Sequence, residues 1–495
     1  MARLRPVKCT YEFEDVLAKY EVLGLVEVTI GIDSGGTPIY CVDEPLLGHS
    51  GELGGLDLVD IAARLVEAVV SEGLEGLPSD VEGLKELSEK YGIPYSVISE
   101  NYISLGYYVA KGLSGYGRLY PLVMDERIEE IAVNGPGRPA LVFHTELDVG
   151  WLKTNISLSE AELDDLVIGL SRRAGRDLNL AHPYLEALTP EGHRIAATFS
   201  NEVSRFGSSL VVRKYRVRPI LPHELIKRGT ASPLLLSYLW FLEEHGGTML
   251  IVGPTASGKT TFLQALLMLL PSSRRIVTIE DTPELNLSHH LNWDSLVTRH
   301  SYSLSEGEDV DLYKLAKFAL RRRPDYFVIG EMRGEEARIF VQAAGSGHGA
   351  LATFHGDSAE SALQRLRADP IRLGDSYLQL IWAVVVLRRM RIPGRGDLRR
   401  VTSVVEVVPR GSSITLREIF LWNPDTDSFA PNEPEELVHL SYRLKRIAEV
   451  YGMSERDLKR ELEEREQFLA SVVDSDLSLF IKKLNEFYKN RDGRG

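Results

Sequence analysis

The chain has 495 residues, 44% of them hydrophobic and 26% charged, which is ordinary globular composition with room for about three domains and excludes a largely disordered chain. A formal net charge of −14 argues against wholesale wrapping of nucleic acid, which needs a basic surface. Cys9 and Cys41 stand far apart without a CxxC pair, which excludes a disulfide framework or four-cysteine zinc site and suits a reducing interior.

The N-terminus lacks an apolar core behind its basic residues. The longest apolar runs, LLLSYLWFL at 234–242 and LIWAVVVL at 380–387, fall short of the roughly 18 residues of a membrane helix. The expectation is a chain that neither crosses a membrane nor is exported. Scarce Asn and Gln beside abundant Glu and Arg are the bias of a heat-adapted protein.

In chain order, residues 1–115 carry helix-like runs, DLVDIAARLVEAVVSEGL and DVEGLKELSEKYG, between the glycine-rich joints GIDSGGTPIY and GHSGELGGLD. They read as a helical N-terminal module. Residues 116–225 switch to short β-like runs, EIAVNGPG, PALVFH, RIAATFS and SSLVVRKY, around one helix whose Ser159 and Glu162 fit a capping box. This is an α/β domain. The proline-rich stretch VRPILPHELIKRGTASP at 217–233 marks a boundary, with a linker over 226–246.

Residues 247–432 open with the strand TMLIVG, a glycine-rich loop and the helical TTFLQALLMLL, and continue with the strands RRIVTIED and DYFVIGE between helical segments. Strands alternating with helices imply a doubly wound, mostly parallel sheet. Residues 433–495, including EPEELVHLSYRLKRIAEVYG and SERDLKRELEEREQFLASVV, read as a helical C-terminal extension. Basic clusters at 213–218, 321–323, 388–391 and 399–400 are candidate partner sites, against the usual role of charge runs as solvated faces.

Chemistry concentrates in the second half. Gly253, Pro254, Thr255, Ala256, Ser257, Gly258, Lys259, Thr260 and Thr261 fit the phosphate-loop pattern between a strand and a helix. Backbone N–H groups and the helix N-terminus would cradle phosphates, Lys259 would reach the β/γ oxygens, and Thr260 would hold Mg²⁺. Glu331, at the end of the strand-like YFVI, would emerge at the carboxyl edge of the sheet, where ligands bind, and serve magnesium through water. Asp325 precedes that strand and belongs at the opposite edge.

Glu280, Asp281 and Glu284 follow another strand, where carboxylates suit water positioning or metal ligation and capping a helix N-terminus is the rival role. His348 and His355 sit among glycines in GSGHGALATFHGDSA, a pattern for close backbone approach and for contact with a γ-phosphate, a satisfied histidine being the alternative.

Taken in order, GPTASGKTT, IEDTPEL, LRRRPDYFVIGEMRGEEA and AAGSGHGALATFHGDSA resemble the Walker A, aspartate, Walker B and histidine boxes of the type II/type IV secretion ATPases. DERIEEIAVNGPG, LEALTPEGHRIAATFS and GSSLVVRKY resemble that superfamily's N-terminal domain. The resemblance implies a RecA-like ATPase domain and a homohexamer at the cytoplasmic face of the cell membrane. Such a ring hydrolyses ATP with Mg²⁺, docks on a polytopic membrane platform protein and drives secretion or filament assembly.

By the same match Glu331 is the catalytic glutamate, and Arg194 and Arg213 approach the phosphates. The absence of a tetracysteine module, together with PIYCVDEPLL near the N-terminus, resembles the archaeal branch, which includes pilus, secretion and archaellum motors. Many relatives carry an acidic residue soon after the Walker B arginine. Here Gly334 follows Arg333 and Glu335 is the candidate substitute. A DNA translocase is the rival function, disfavoured by net acidity and by the lack of basic residues interleaved with aromatics; a nucleotide-gated scaffold is the third.

Overall fold

The computed structural model describes residues 4–45, 58–147, 149–215, 218–299, 309–392 and 396–492. The chain divides into two compact units, Met1–Arg216 and Val217–Gly495. The joint GHSGELGGLD lies outside the described residues.

The first unit begins with strands β1 (Asp15–Val22), β2 (Val26–Ile32) and β3 (Pro38–Asp43). Helices α1 (Leu58–Ser71), α2 (Val81–Tyr91), α3 (Tyr95–Glu100), α4 (Tyr102–Ser114) and α5 (Tyr120–Met124) follow. Strands β4 (Ile128–Val133), β5 (Pro139–His144) and β6 (Trp151–Ser157), helix α6 (Glu160–Arg173), and strands β7 (Tyr184–Leu188), β8 (Arg194–Thr198) and β9 (Ser209–Arg213) complete it. All nine strands form one sheet in the order β1-β2-β3-β6-β5-β4-β9-β8-β7. The capping box at Ser159 and Glu162 is present.

Two sequence expectations are corrected here. Residues 1–115 are not a helical module, because β1–β3 join the same sheet as β4–β9 through a parallel β3/β6 pair. The β1–β2 hairpin turns through Leu23 and Gly24, both at positive φ (56° and 65°), the left-handed pair that tight hairpin turns require. A leucine in that position hides the turn from a search for Asn-Gly. The cysteines are also paired, as a Cys9–Cys41 disulfide. A clip explains the approach across 32 residues: Asn155 Nδ2 donates to Lys8 O (2.9 Å) and Val42 O (2.8 Å), and Glu44 N donates to Val7 O.

The second unit opens with α7 (Pro222–Lys227) and α8 (Pro233–Glu244), then β10 (Thr248–Gly253), α9 (Lys259–Leu267), β11 (Ile276–Glu280) and β12 (Trp293–Val297). Next come α10 (Leu312–Ala319), β13 (Tyr326–Met332), α11 (Glu336–Gly345), β14 (Gly349–His355), α12 (Ala359–Arg367) and α13 (Asp375–Leu378). It closes with β15 (Ala383–Ile392), β16 (Gly396–Arg410), β17 (Ser413–Asn423) and β18 (Ser428–Ala430), then α14 (Pro434–Leu440), α15 (Tyr442–Tyr451), α16 (Glu455–Ser471) and α17 (Leu477–Asp492).

The sheet runs β12-β11-β13-β14-β10-β15-β16-β17-β18, parallel from β12 to β15 and antiparallel beyond. Alternate residues of β10 enter different cores: Met249 and Ile251 pack on one face, Leu250 and Val252 on the other. Both faces of the sheet's parallel centre are therefore covered, which is why β10, β11, β13 and β14 are nearly continuous apolar runs.

The stretch 226–246 is not a linker, because α8 fills most of it and is buried along nearly its whole length. The C-terminal helices α14–α17 are part of the core rather than an appendage. Leu444, Leu462, Phe468, Phe480 and Leu484 share one apolar cluster with Trp240 of α8 and Met249 of β10. Among the described residues no helix is long and apolar enough to cross a membrane.

Candidate active site

β10 ends at Gly253, and the chain turns through 254–258 into α9, whose first residue is Lys259. The turn cannot be built from ordinary residues. A Cβ on Gly253 would lie 2.4 Å from Leu387 O and 2.5 Å from Ser257 Oγ, and Gly258 caps the helix at φ +93°, where side chains are strained. Ala256 occupies the left-handed region at φ +61° without being glycine. Ser257 is buried, and its hydroxyl has no partner. Lys259 is only 8% exposed, and its Nζ donates to Pro254 O at 3.0 Å. Burial lowers the Lys259 ammonium's pKa, while the nearby Glu331 and Glu284 carboxylates pull it back up.

Neighbouring strand ends bring the other groups alongside. In the parallel register Gly253 faces His355, the last residue of β14. His355 Nε2 lies 2.5 Å from Glu331 Oε1, and Glu331 Oε2 accepts from Arg333 Nε (3.0 Å) and Nη2 (2.5 Å). Thr353 Oγ1 donates to Gly330 O at 2.6 Å, locking β14 to the strand that carries Glu331.

Glu280 closes β11 at 2% exposure. Its Oε1 accepts from the backbone N–H groups of Glu284 (2.9 Å) and Leu285 (3.0 Å), while Oε2 has no partner among the described residues. Burial pushes its carboxyl up to about 8, against the pull of those two N–H donors. No helix follows Pro283, so Glu280 shapes a loop instead of capping a helix. Gly330 leaves room for it, since a Cβ there would meet Glu280 Cγ at 2.8 Å.

Two sequence expectations diverge from this geometry. His348 precedes β14, so it sits at the opposite edge of the sheet from His355, about 20 Å away at the strand rise of about 3.3 Å per residue. It joins Asp325, which accepts from Arg275 N at 2.7 Å at the start of β13. The carboxylate that folds back after Arg333 is Glu336, not Glu335: it accepts from the backbone N–H groups of Arg333 (2.5 Å) and Gly334 (2.7 Å).

In the first unit Arg194 and Arg213 face each other in register on β8 and β9. Arg194 pairs with Glu186 at 2.7 Å, and Arg213 lies opposite Glu130 on β4. Glu336 was not singled out from the sequence, where its only signal is its closeness to Glu331 and Arg333. Of the basic clusters expected as partner sites, Arg388, Arg399 and Arg400 bond within the second unit, to Asp357 O, Ala256 O and Asp427.

A phosphate-loop turn at the carboxyl edge of a parallel sheet covered on both faces, with a carboxylate and a histidine on adjoining strand ends, is the organisation of a RecA-like P-loop domain. Residues 178–390 match the family model described as type II/IV secretion system protein. An uncharacterised protein of Methanocaldococcus jannaschii is 39% identical over 278 residues, 55% of this chain and 100% of that protein. The type IV secretion system protein PtlH of Bordetella pertussis is 32% identical over 277 residues, 50% of this chain and 78% of its own length. VirB11 of Brucella suis is 29% identical over 272 residues, 50% of this chain and 74% of its own length. The chain belongs to the type II/type IV secretion ATPase superfamily and has archaeal relatives.

Proposed function

We propose that this chain is a hexameric, Mg-dependent ATPase motor, of the kind that powers protein secretion or the assembly of pilus-like or archaellum filaments at the cytoplasmic face of the membrane. The observation that carries the reading is the meeting, at one sheet edge, of the phosphate loop with the Glu331–His355 pair. Residues 253–261 bind the triphosphate: the N–H groups of the loop and the start of α9 face it, and Lys259 exchanges Pro254 O for phosphate oxygens.

Hard oxygen donors suit magnesium, and here they are the Thr260 hydroxyl and, through water, Glu331. The metal would neutralise charge on the phosphates. Glu331 accepts the proton of the attacking water, and His355 orients the carboxylate. Glu280, kept protonated near neutral pH by burial, accepts from the Glu284 and Leu285 N–H groups and so shapes the loop after β11. Arg194 and Arg213, side by side on β8 and β9, are the candidates to neutralise phosphate charge from the N-terminal domain.

A polytopic membrane protein is the expected platform, and no nucleic acid is expected as cargo. Steady-state Mg-ATP hydrolysis tests the reading, with the full chain measured beside Lys259→Ala and Glu331→Gln, and with anionic vesicles or DNA added. Turnover in the wild type, its loss in both variants, retained ATP binding in Glu331→Gln and stimulation by vesicles are expected. Stimulation by DNA would reassign the motor to nucleic-acid translocation, and turnover in Glu331→Gln would sink its role as base.

A further inference from the structure

The β15–β16 hairpin approaches the candidate nucleotide site from the side opposite β14. β15 runs parallel to β10, Val252 opposite Val386, and Leu387 O is the backbone atom that leaves no space for a side chain at Gly253. One residue further, Arg388 Nη2 donates to Asp357 O at 2.9 Å, in the loop that follows His355. On the return strand Arg400 and Arg399 alternate sides, as strand neighbours do. Arg400 is buried, bonded to both carboxylate oxygens of Asp427 (2.8 Å each) and to Arg228 O (2.9 Å). That anchorage turns Arg399 to the other side, where its Nε donates to Ala256 O of the phosphate loop at 3.3 Å. Its Cδ lies 3.4 Å from where a side chain on Gly258 would begin.

We infer that Arg399 is a positioning residue for nucleotide: through its Nε it holds the Ala256 peptide of the phosphate loop, so that the N–H groups of the loop stay aimed at bound phosphate. The inference rests on the ATPase reading. Ala256 needs such a hold. A non-glycine residue in the left-handed region is strained and persists only where its surroundings over-determine it, and a cradle works when carbonyls point outward and N–H groups inward. Of the loop carbonyls, Pro254 O accepts from Lys259, a partner that nucleotide takes away, whereas Ala256 O accepts from a residue on a separate, anchored hairpin.

The chemistry of the contact supplies the test. The bond comes from Nε and not from the guanidinium tip. Glutamine carries its Nε2 the same number of bonds from the backbone without charge, and methionine has similar bulk without a donor. Equilibrium binding of a fluorescent ATP analogue to the full chain is measured for wild type, Arg399→Met and Arg399→Gln, with hydrogen exchange of amides 255–260 in the nucleotide-free proteins. Arg399→Met should bind about tenfold more weakly, the size of one lost charge-assisted hydrogen bond, and its loop amides should exchange faster. Arg399→Gln should stay within about twofold of wild type, and kcat at saturating ATP should change less than KM in both.

Equal binding by wild type and Arg399→Met, or unchanged loop exchange, overturns the inference. Arg399→Gln as weak as Arg399→Met overturns it too, because charge and not positioning would then be the role. A wild type that binds no nucleotide overturns the ATPase reading and this inference with it.

Discussion

Glu280 and the two histidines make separate residue-scale predictions. The Glu280 carboxyl is raised from 4.5 to about 8, chiefly by burial. Between those values the folded chain keeps a proton that the unfolded chain has lost, so stability falls as pH rises from about 4.5 to 8 and is level beyond, by at most about 1.4 kcal/mol per pH unit. Glu280→Gln removes that term. The stability of wild type minus that of the variant, from denaturant midpoints at pH 5 to 8, should shrink steadily as pH rises. A flat difference would mean that Glu280 does not carry the proton. His355→Ala, which strips Glu331 of one partner, should lower kcat at least tenfold while nucleotide binding to the isolated chain changes little. His348→Ala should leave that binding unchanged; a loss of ATP binding in His348→Ala would contradict its place at the far edge.

At the scale of elements, the phosphate loop, the strands TMLIVG, RRIVTIED and DYFVIGE and the α6 capping box were legible, because each depends on short-range chemistry: glycines that permit a turn, apolar runs buried on both faces, a serine three residues before a glutamate. The β1–β3 meander was not, since its first turn uses Leu23 where a search expects Asn-Gly. Nor was α8, because the proline-rich stretch leading into it reads as a linker, although Ser232 accepts from Leu235 N as its cap and Pro233 occupies the first turn, a favoured place for proline. The integration of α16 was hidden because its charge pattern reads as a solvated helix. Arg465 is nevertheless fully buried: it pairs with Glu244 of α8 and with Glu461 (2.6 Å), its guanidinium over the rings of Trp240 and Phe241. Arg465→Met should destabilise the second unit by about 3 kcal/mol, because Glu244 loses its partner in a low-dielectric core and Glu461 is left with Arg491 alone. Adding Glu244→Leu should recover part of that, and a single-variant loss under about 1 kcal/mol would show that α16 docks by its apolar face alone.

For the whole molecule, the least legible link was the one that ties the N-terminus into the first unit, because long-range pairing leaves no local trace. Leu4 and Val7 sit in the apolar core with Val28 and Val42, Val7 N donates to the buried Glu44 at 2.7 Å, and the Cys9–Cys41 bond closes the loop around β1 and β2. In a chain-entropy account a loop of this length is worth about 3.7 kcal/mol, because the bond removes conformations from the unfolded chain. That term lives in the first unit, whereas the phosphate loop belongs to the second. Dithiothreitol should therefore speed hydrogen exchange in residues 15–42 and lower the unfolding midpoint of the first unit, while the affinity of the second unit for nucleotide stays the same. Cys9→Ser should reproduce the shift and make the protein indifferent to reductant. Unchanged exchange under reductant would mean that the Asn155 clip and the Glu44–Lys111 ion pair, at 2.7 Å with both side chains fully buried, already fix the segment without the bond.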